Sequence, residues 1–255
     1  MCGLWGAYTL NNLTVAEVKN VHTLGIVSQL RGTDSTGAFT VKKKKNQKLH
    51  IQSRKMLGDS SRFLSDPGTR YLLHEDDTFI ISGHSRYATS GAITECNAHP
   101  IQIGHIVACH NGTIDSLKVR DEDAATNTDS REFIKRIAHQ GLAKAIIDAR
   151  DGAYAIVWFD ASRRELNFLR NYKRPLYYLW DRTRTCLYWA SEKEMLEFLK
   201  KRESVGSFLE PVCFMPDRVY TFAAGTLDFT SKASPITLND DTDERQRLNE
   251  QNSMF

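Results

Sequence analysis

The chain has 255 residues, 41% apolar and 25% charged, with a formal net charge of +3; it is long enough to bury a sizeable core in one large domain or two small ones. So slight a positive excess gives no footing for binding nucleic acid or an acidic membrane, and no stretch approaches the ~18 apolar residues of a membrane span. The N-terminus lacks a secretory signal pattern, and five irregularly spaced cysteines (Cys2, Cys96, Cys109, Cys186 and Cys213) argue against a disulfide framework and for a reducing cytoplasm.

Residues 3–10 read as a short strand. Thr14-Val15-Ala16-Glu17 is a capping-box pattern, and Val15, Val18, Val21, Leu24, Val27 and Leu30 follow at three-residue spacing, predicting a helix. The turn-rich stretch Arg31-Gly32-Thr33-Asp34-Ser35-Thr36-Gly37 ends it. Strands are predicted at 37–42, 48–53, 78–84 and 103–110, with Lys42 to Lys45 as a solvated hairpin tip. A second helix starts near Asp129 and stops at Gly141.

From Gly152 the pattern turns to short strands, GAYAIVWF, ELNFLR, PLYYLW and CLYWA. Their close succession predicts antiparallel hairpins. Ser191-Glu192-Lys193-Glu194 reads as another capping box opening a helix through Leu199, and two strands fit 212–215 and 218–223. Residues 1–225 form the predicted domain, and 226–255 a polar, loose tail. The order of elements favours antiparallel sheets with helices on their outer faces over alternating βα units.

The chemistry begins at Cys2, directly behind Met1. Removal of Met1 would place a thiol nucleophile and a free α-amine in one residue, and such an amine titrates near 7.7–8.0, in range for a general base. On position alone, a surface or lightly buried cysteine that happens to fall second is the favoured reading.

Five further segments stand in a distinctive order behind CG at position 2: RGTDSTG at 31–37, GHSRYATSG at 83–91, NAHP at 97–100, HNGTI at 110–114 and DGAYAIV at 151–157; RPLYY at 174–178 and WASE at 189–192 follow. Together they resemble the glutaminase domain of the class II glutamine amidotransferases, the N-terminal nucleophile hydrolase domain of glucosamine phosphate synthase, amidophosphoribosyltransferase and asparagine synthetase. The resemblance runs from Cys2 to about Phe222. It implies an α+β fold, an αββα four-layer sandwich of two antiparallel sheets.

It also implies roles. Cys2 is similar to the nucleophile that attacks the side-chain amide of L-glutamine and forms a γ-glutamyl thioester. Asn111, through its side-chain NH₂, and Gly112, through its backbone N–H, match the donors that hold the oxyanion; alone, Asn-Gly is also a hairpin-turn signature. Arg86 matches the arginine that reads the α-carboxylate, and Asp129 the acid that receives the α-ammonium, although an aspartate there also suits a helix N-terminus. Thr89 lines the same pocket by similarity. Arg31 and Asp34 brace the nucleophile's surroundings or simply make the turn. Tyr87 stands where the family has tryptophan, Ser90 where glucosamine phosphate synthase has histidine, and the glycine that often precedes Pro-Leu is missing from NYKRPLYY.

No metal or organic cofactor is expected. Cys96, His99, Cys109 and His110 make a poor zinc set, because neighbours on a strand point to opposite faces. No phosphate-binding glycine-rich loop is present and the stretch after 225 is too short for a synthase domain, so the expected role is to supply ammonia to a separate synthase partner. Two alternatives remain: an N-terminal nucleophile amidase for another amide, or a catalytically silent regulatory module.

Overall fold

The computed structural model describes residues 1–44, 48–118, 127–203 and 206–233. Thirteen strands and six α-helices lie within them. In chain order they are β1 (Gly3–Thr9), α1 (Val15–Ser28), β2 (Ser35–Lys43), β3 (Leu49–Leu57), α2 (Ser60–Ser65), α3 (Pro67–His74), β4 (Thr78–Arg86), β5 (Ile101–Ile103) and β6 (Ile106–Thr113). Then come α4 (Asp129–Gln140), α5 (Leu142–Asp148), β7 (Ala153–Asp160), β8 (Glu165–Arg170), β9 (Tyr177–Trp180), β10 (Cys186–Ala190), α6 (Lys193–Arg202), β11 (Val212–Cys213), β12 (Arg218–Ala223) and β13 (Phe229–Ala233).

Seven strands form one antiparallel sheet in the order β11-β9-β10-β1-β4-β2-β3, and six form another in the order β13-β12-β8-β7-β6-β5. Period-two alternation sorts the side chains. Leu4 and Tyr8 of β1 meet Val107, Cys109, Val157, Phe168 and Phe222 of the second sheet in the inner core. Trp5 and Ala7, one step out of phase, face Val18, Val21 and Leu24 of α1 and Leu196 and Leu199 of α6. On the far side, Ile106, Ala108, Ile156 and Trp158 pack under Phe133, Ile134 and Ile137 of α4 and Ile146 of α5. The layers are therefore helix, sheet, sheet, helix, the αββα sandwich expected.

Several expectations are corrected. Helix α1 does begin on a capping box, with Thr14 and Glu17 satisfying each other's free N–H groups. Its apolar row, however, is not one face. At 100° per residue a strict i, i+3 spacing winds around the helix, so Val18, Val21 and Leu24 are buried while Val15 and Leu30 lie 76% and 85% exposed. The hairpin β2–β3 exists, but Lys42 is buried in β2 and its ammonium pairs with Glu75 and Gln52; Lys45 lies outside the described residues. After Gly152, β7–β8 and β9–β10 are antiparallel hairpins as expected, but β8 and β9 do not pair: β8 lies beside β7 and β12, whereas β9 belongs to the other sheet beside β10 and β11. The chain changes sheets there, along Asn171–Leu176. Residues 229–233, inside the stretch read as a tail, form β13 against β12; residues 234–255 lie outside the described residues.

Candidate active site

The nucleophile position follows from the register of β1. Gly3 pairs with Ser85 at the end of β4, so Cys2 stands beside Arg86, the last residue of that strand. Leu4 faces the inter-sheet core, and alternation points Cys2 the same way. On the second sheet Val107 and Cys109 of β6 also face inward, which brings Asn111, two residues on, to the same end of the sandwich. His110, out of phase, turns outward and bonds Ser130 of α4 at 2.8 Å through Nδ1. Cys109 and His110 thus lie on opposite faces of one strand, which defeats the zinc arrangement.

A pocket of about 270 Å³, open mouth included, is lined by Cys2, Arg86, Tyr87, Thr89, Gly112 and Asp129, with Ser90, His99, His110, Thr128 and Ser130 completing the wall. The Cys2 sulfur is 3.3 Å from both the carbonyl oxygen and the amide nitrogen of Tyr87. Burial pushes the Cys2 thiol pKa up; the Tyr87 amide and the charges of the N-terminal ammonium, Arg86 and Arg31 pull it down by less. The group is a neutral thiol near pH 7 and needs a base to react.

Arg86 is only 4% exposed, which rules out a surface arginine. Its guanidinium donates to the carbonyls of Ser90 at 2.7 Å, Ala92 at 3.1 Å and Gly91 at 3.4 Å. Three loop carbonyls thereby fix the fork and leave its remaining N–H groups for a carboxylate. Asp129 is the first residue of α4, but the N-cap is Thr128, whose hydroxyl accepts from Arg131 N. Asp129 Oδ2 instead accepts the Ile114 N–H at 2.8 Å, and the residue lines the pocket.

Asn111 and Gly112 lie within β6 and pair with Ala155 and Tyr154 of β7, so they are not a hairpin turn. Tyr154 turns both its N–H and its carbonyl to Asn171, at 3.2 and 3.0 Å. That orientation leaves the Gly112 N–H outside the β6–β7 ladder, on the side where the Ile114 N–H, two residues on, meets Asp129. A Cβ at Gly112 would fall 1.9 Å from the Ala153 oxygen and 2.7 Å from His110 Nε2, so only glycine fits. Asn111 is buried and does not line the pocket; its Nδ2 lies 3.4 Å from the Ser191 hydroxyl.

Arg31 and Asp34 reach the site through backbone groups. Arg31 Nε donates to the Cys2 carbonyl at 2.7 Å while its NH1 pairs with Glu192. Asp34 Oδ2 accepts the Ala88 N–H at 2.7 Å, and Asp34 N donates to the Arg86 carbonyl at 3.0 Å. Tyr87 and Thr89 stand at the rim; Tyr87 is 53% exposed and Thr89 shares a 3.0 Å hydrogen bond with Thr113.

Sequence reasoning missed three contributors. The loop carbonyls that hold Arg86 carry no side-chain signal. Ser130 could have been suspected from its adjacency to Asp129. Ser191 was read as a helix cap, yet α6 starts two residues later on Glu192 without a side-chain cap. At the pocket, the buried rings of His84 and His99 pack with centroids 4.2 Å apart and planes tilted by 41°. Burial depresses the pKa of His84 to about 3 and of His110 to about 4, and pushes that of His99 well down, so all three imidazoles are neutral at pH 7.

Two solved structures share this architecture. One is the glutamine phosphoribosylpyrophosphate amidotransferase from B. subtilis, with a TM-score of 0.61 at 18% identity, covering 91% of this chain and 49% of that one. The other is described as the allosteric regulatory enzyme of purine biosynthesis, with a TM-score of 0.63 at 16% identity and the same coverage. They share the fold: two stacked antiparallel sheets between helical layers. Residues 84–198 match the family model described as a glutamine amidotransferase domain. Similar curated proteins are the glutamine–fructose-6-phosphate aminotransferases of Haemophilus ducreyi, 29% identical over 62% of this chain and 26% of that protein, and of Pseudomonas putida, 31% identical over 62% of this chain and 25% of that protein. Over residues 84–198 the chain is similar to a glutamine amidotransferase domain, and it spans about a quarter of the length of those curated relatives.

No helix among the described residues is long and apolar enough to cross a membrane.

Proposed function

We propose that this domain hydrolyses L-glutamine to glutamate and ammonia with Cys2 as nucleophile, once Met1 has been removed. The observation that supports it best is the convergence on one pocket of a buried thiol, a fixed guanidinium, a carboxylate and a glycine N–H outside its ladder. Arg86 and Asp129 read the α-carboxylate and α-ammonium of a free amino acid, which places the side-chain amide against Cys2.

The freed α-amine of Cys2 takes the Sγ proton, directly or through one water, and sulfur bonds to the amide carbon. The oxyanion is held by Gly112 N–H and Asn111 Nδ2. Its collapse breaks the C–N bond, and the α-ammonium returns the proton so that the nitrogen leaves as ammonia. Water, deprotonated by the same amine, then cleaves the thioester to glutamate and regenerates the thiol. Burial depresses the basicity of His84, His99 and His110, so these rings are poor proton acceptors beside the α-amine.

The ammonia passes to a synthase outside these 255 residues; the relatives named above are aminotransferases that take their nitrogen from glutamine, by their names. The odd number and irregular spacing of the five cysteines favour a reducing cytoplasm. Incubation with glutamine, followed by ammonia and glutamate assays, tests the reading: the two products appear in equal amounts, and their absence from Met1-processed protein contradicts it. Replacing Arg86 with alanine separates a rival amidase, because turnover of other amides would then survive the loss of glutamine turnover.

A further inference from the structure

We infer that Ser191 is a positioning residue for the oxyanion hole, tying the nucleophile's strand to the side-chain amide of Asn111. The inference rests on the reading of Asn111 as an oxyanion donor and extends it to a residue outside the pocket.

Ser191 is fully buried at the end of β10. Its hydroxyl oxygen accepts the Leu4 N–H at 2.8 Å and an Asn111 Nδ2 hydrogen at 3.4 Å. Its own N–H donates to the Leu4 carbonyl at 3.0 Å. Ser191 and Leu4 are thus locked by two reciprocal bonds, and Leu4 lies two residues from Cys2. Asn111 comes from the opposite sheet. One hydroxyl therefore joins β10, β1 and β6 at the end of the sandwich where Cys2 sits.

The consequence for Asn111 is orientational. A carboxamide NH₂ has two hydrogens in a fixed plane. With one directed at Ser191, the plane of the group and the direction of the second hydrogen are set before any charge develops, which is what makes a donor effective in a transition state. Without the hydroxyl the amide can rotate, and in a buried setting it will seek another acceptor. A helix-capping role does not account for the residue, since α6 has no side-chain cap.

The test is a double-mutant cycle on processed protein with glutamine as substrate. Ser191→Ala is expected to lower kcat about 10- to 100-fold while the KM for glutamine changes less than about threefold, because the hydroxyl acts on the transition state and not on Arg86 or Asp129. Asn111→Ala is expected to lower kcat more. The double variant should be no slower than Asn111→Ala alone, since Ser191 has nothing left to orient. Losses that multiply in the double variant, or a Ser191→Ala enzyme with unchanged kcat, overturn the inference. Rates are taken per active site, titrated with a glutamine-analogue electrophile, so that a fall in folded protein does not imitate a fall in kcat; Ser191→Thr, which keeps the hydroxyl, should retain more kcat than Ser191→Ala, and the reverse order counts against the role. Absence of turnover in the wild type would instead overturn the glutaminase reading and this inference with it.

Discussion

Asp129 Oδ2 accepts the backbone N–H of Ile114 at 2.8 Å, so one oxygen of this carboxylate is committed to the protein while the residue lines the pocket. The anchor holds the start of α4 against the end of β6, where Gly112 lies. Asp129→Asn can keep the anchor through its amide oxygen while losing the charge. A hydrogen bond to a charged group contributes roughly 1.5–3 kcal/mol, so the KM for glutamine should rise about 10- to 150-fold with a smaller change in kcat. Steady-state kinetics check this, and an unchanged KM would remove Asp129 from ammonium recognition.

Gly112 is the position least able to accept a side chain. Its added Cβ would meet the Ala153 carbonyl, which is backbone and cannot swing away. Gly112→Ala should displace β6 and with it the N–H that faces the pocket; loss of one oxyanion donor costs about 10²–10³ in kcat. Thermal unfolding should show destabilisation in parallel, and a variant of normal rate and stability would contradict this geometry.

Asp34 holds the loop after Arg86 by accepting the Ala88 N–H at 2.7 Å. Asp34→Ala leaves that N–H without its partner, at a cost of about 1–3 kcal/mol. The loop that supplies carbonyls to Arg86 should loosen, raising the KM for glutamine and accelerating amide exchange at Ala88. Hydrogen-exchange measurement would show this directly; unchanged protection at Ala88 would dismiss the role.

The buried histidines predict an acid-sensitive fold. In the unfolded chain they take protons near pH 6.5, whereas in the folded protein His110 and His84 resist until about 4 and about 3. Between those values the unfolded state binds more protons, so stability is fully present above pH 6.5 and falls as the pH drops. Each histidine contributes a slope of up to about 1.4 kcal/mol per pH unit. Urea unfolding at pH 7 and pH 5 should give a clearly lower midpoint at pH 5; equal midpoints would mean that these rings are not held neutral.

Much of this site was legible because its residues are set by chemistry at short spacing: Cys2, Arg86, the Asn111-Gly112 pair and Asp129 stand in a recognisable order. What joins them was not, because the joins are long-range. Nothing local distinguishes Ser191 as a cap from Ser191 as a bridge to Leu4, 187 residues away. The same limit explains β8 and β9, whose patterns give strands correctly but not the change of sheet between them. Val15 and Leu30 show a different failure, since apolar spacing of three is not the period of the helix. Lys42 shows a third: an apparently solvated charge run begins inside a strand because Glu75 and Gln52 wait for its ammonium.

The most direct test of the account is glutamine turnover by the Cys2→Ala protein beside the wild type, after intact mass has established that Met1 is absent from both. Removal of the sulfur should abolish ammonia release while the fold, judged by circular dichroism, persists. Wild-type rates in the alanine variant would contradict a thiol nucleophile at residue 2 and the mechanism built on it.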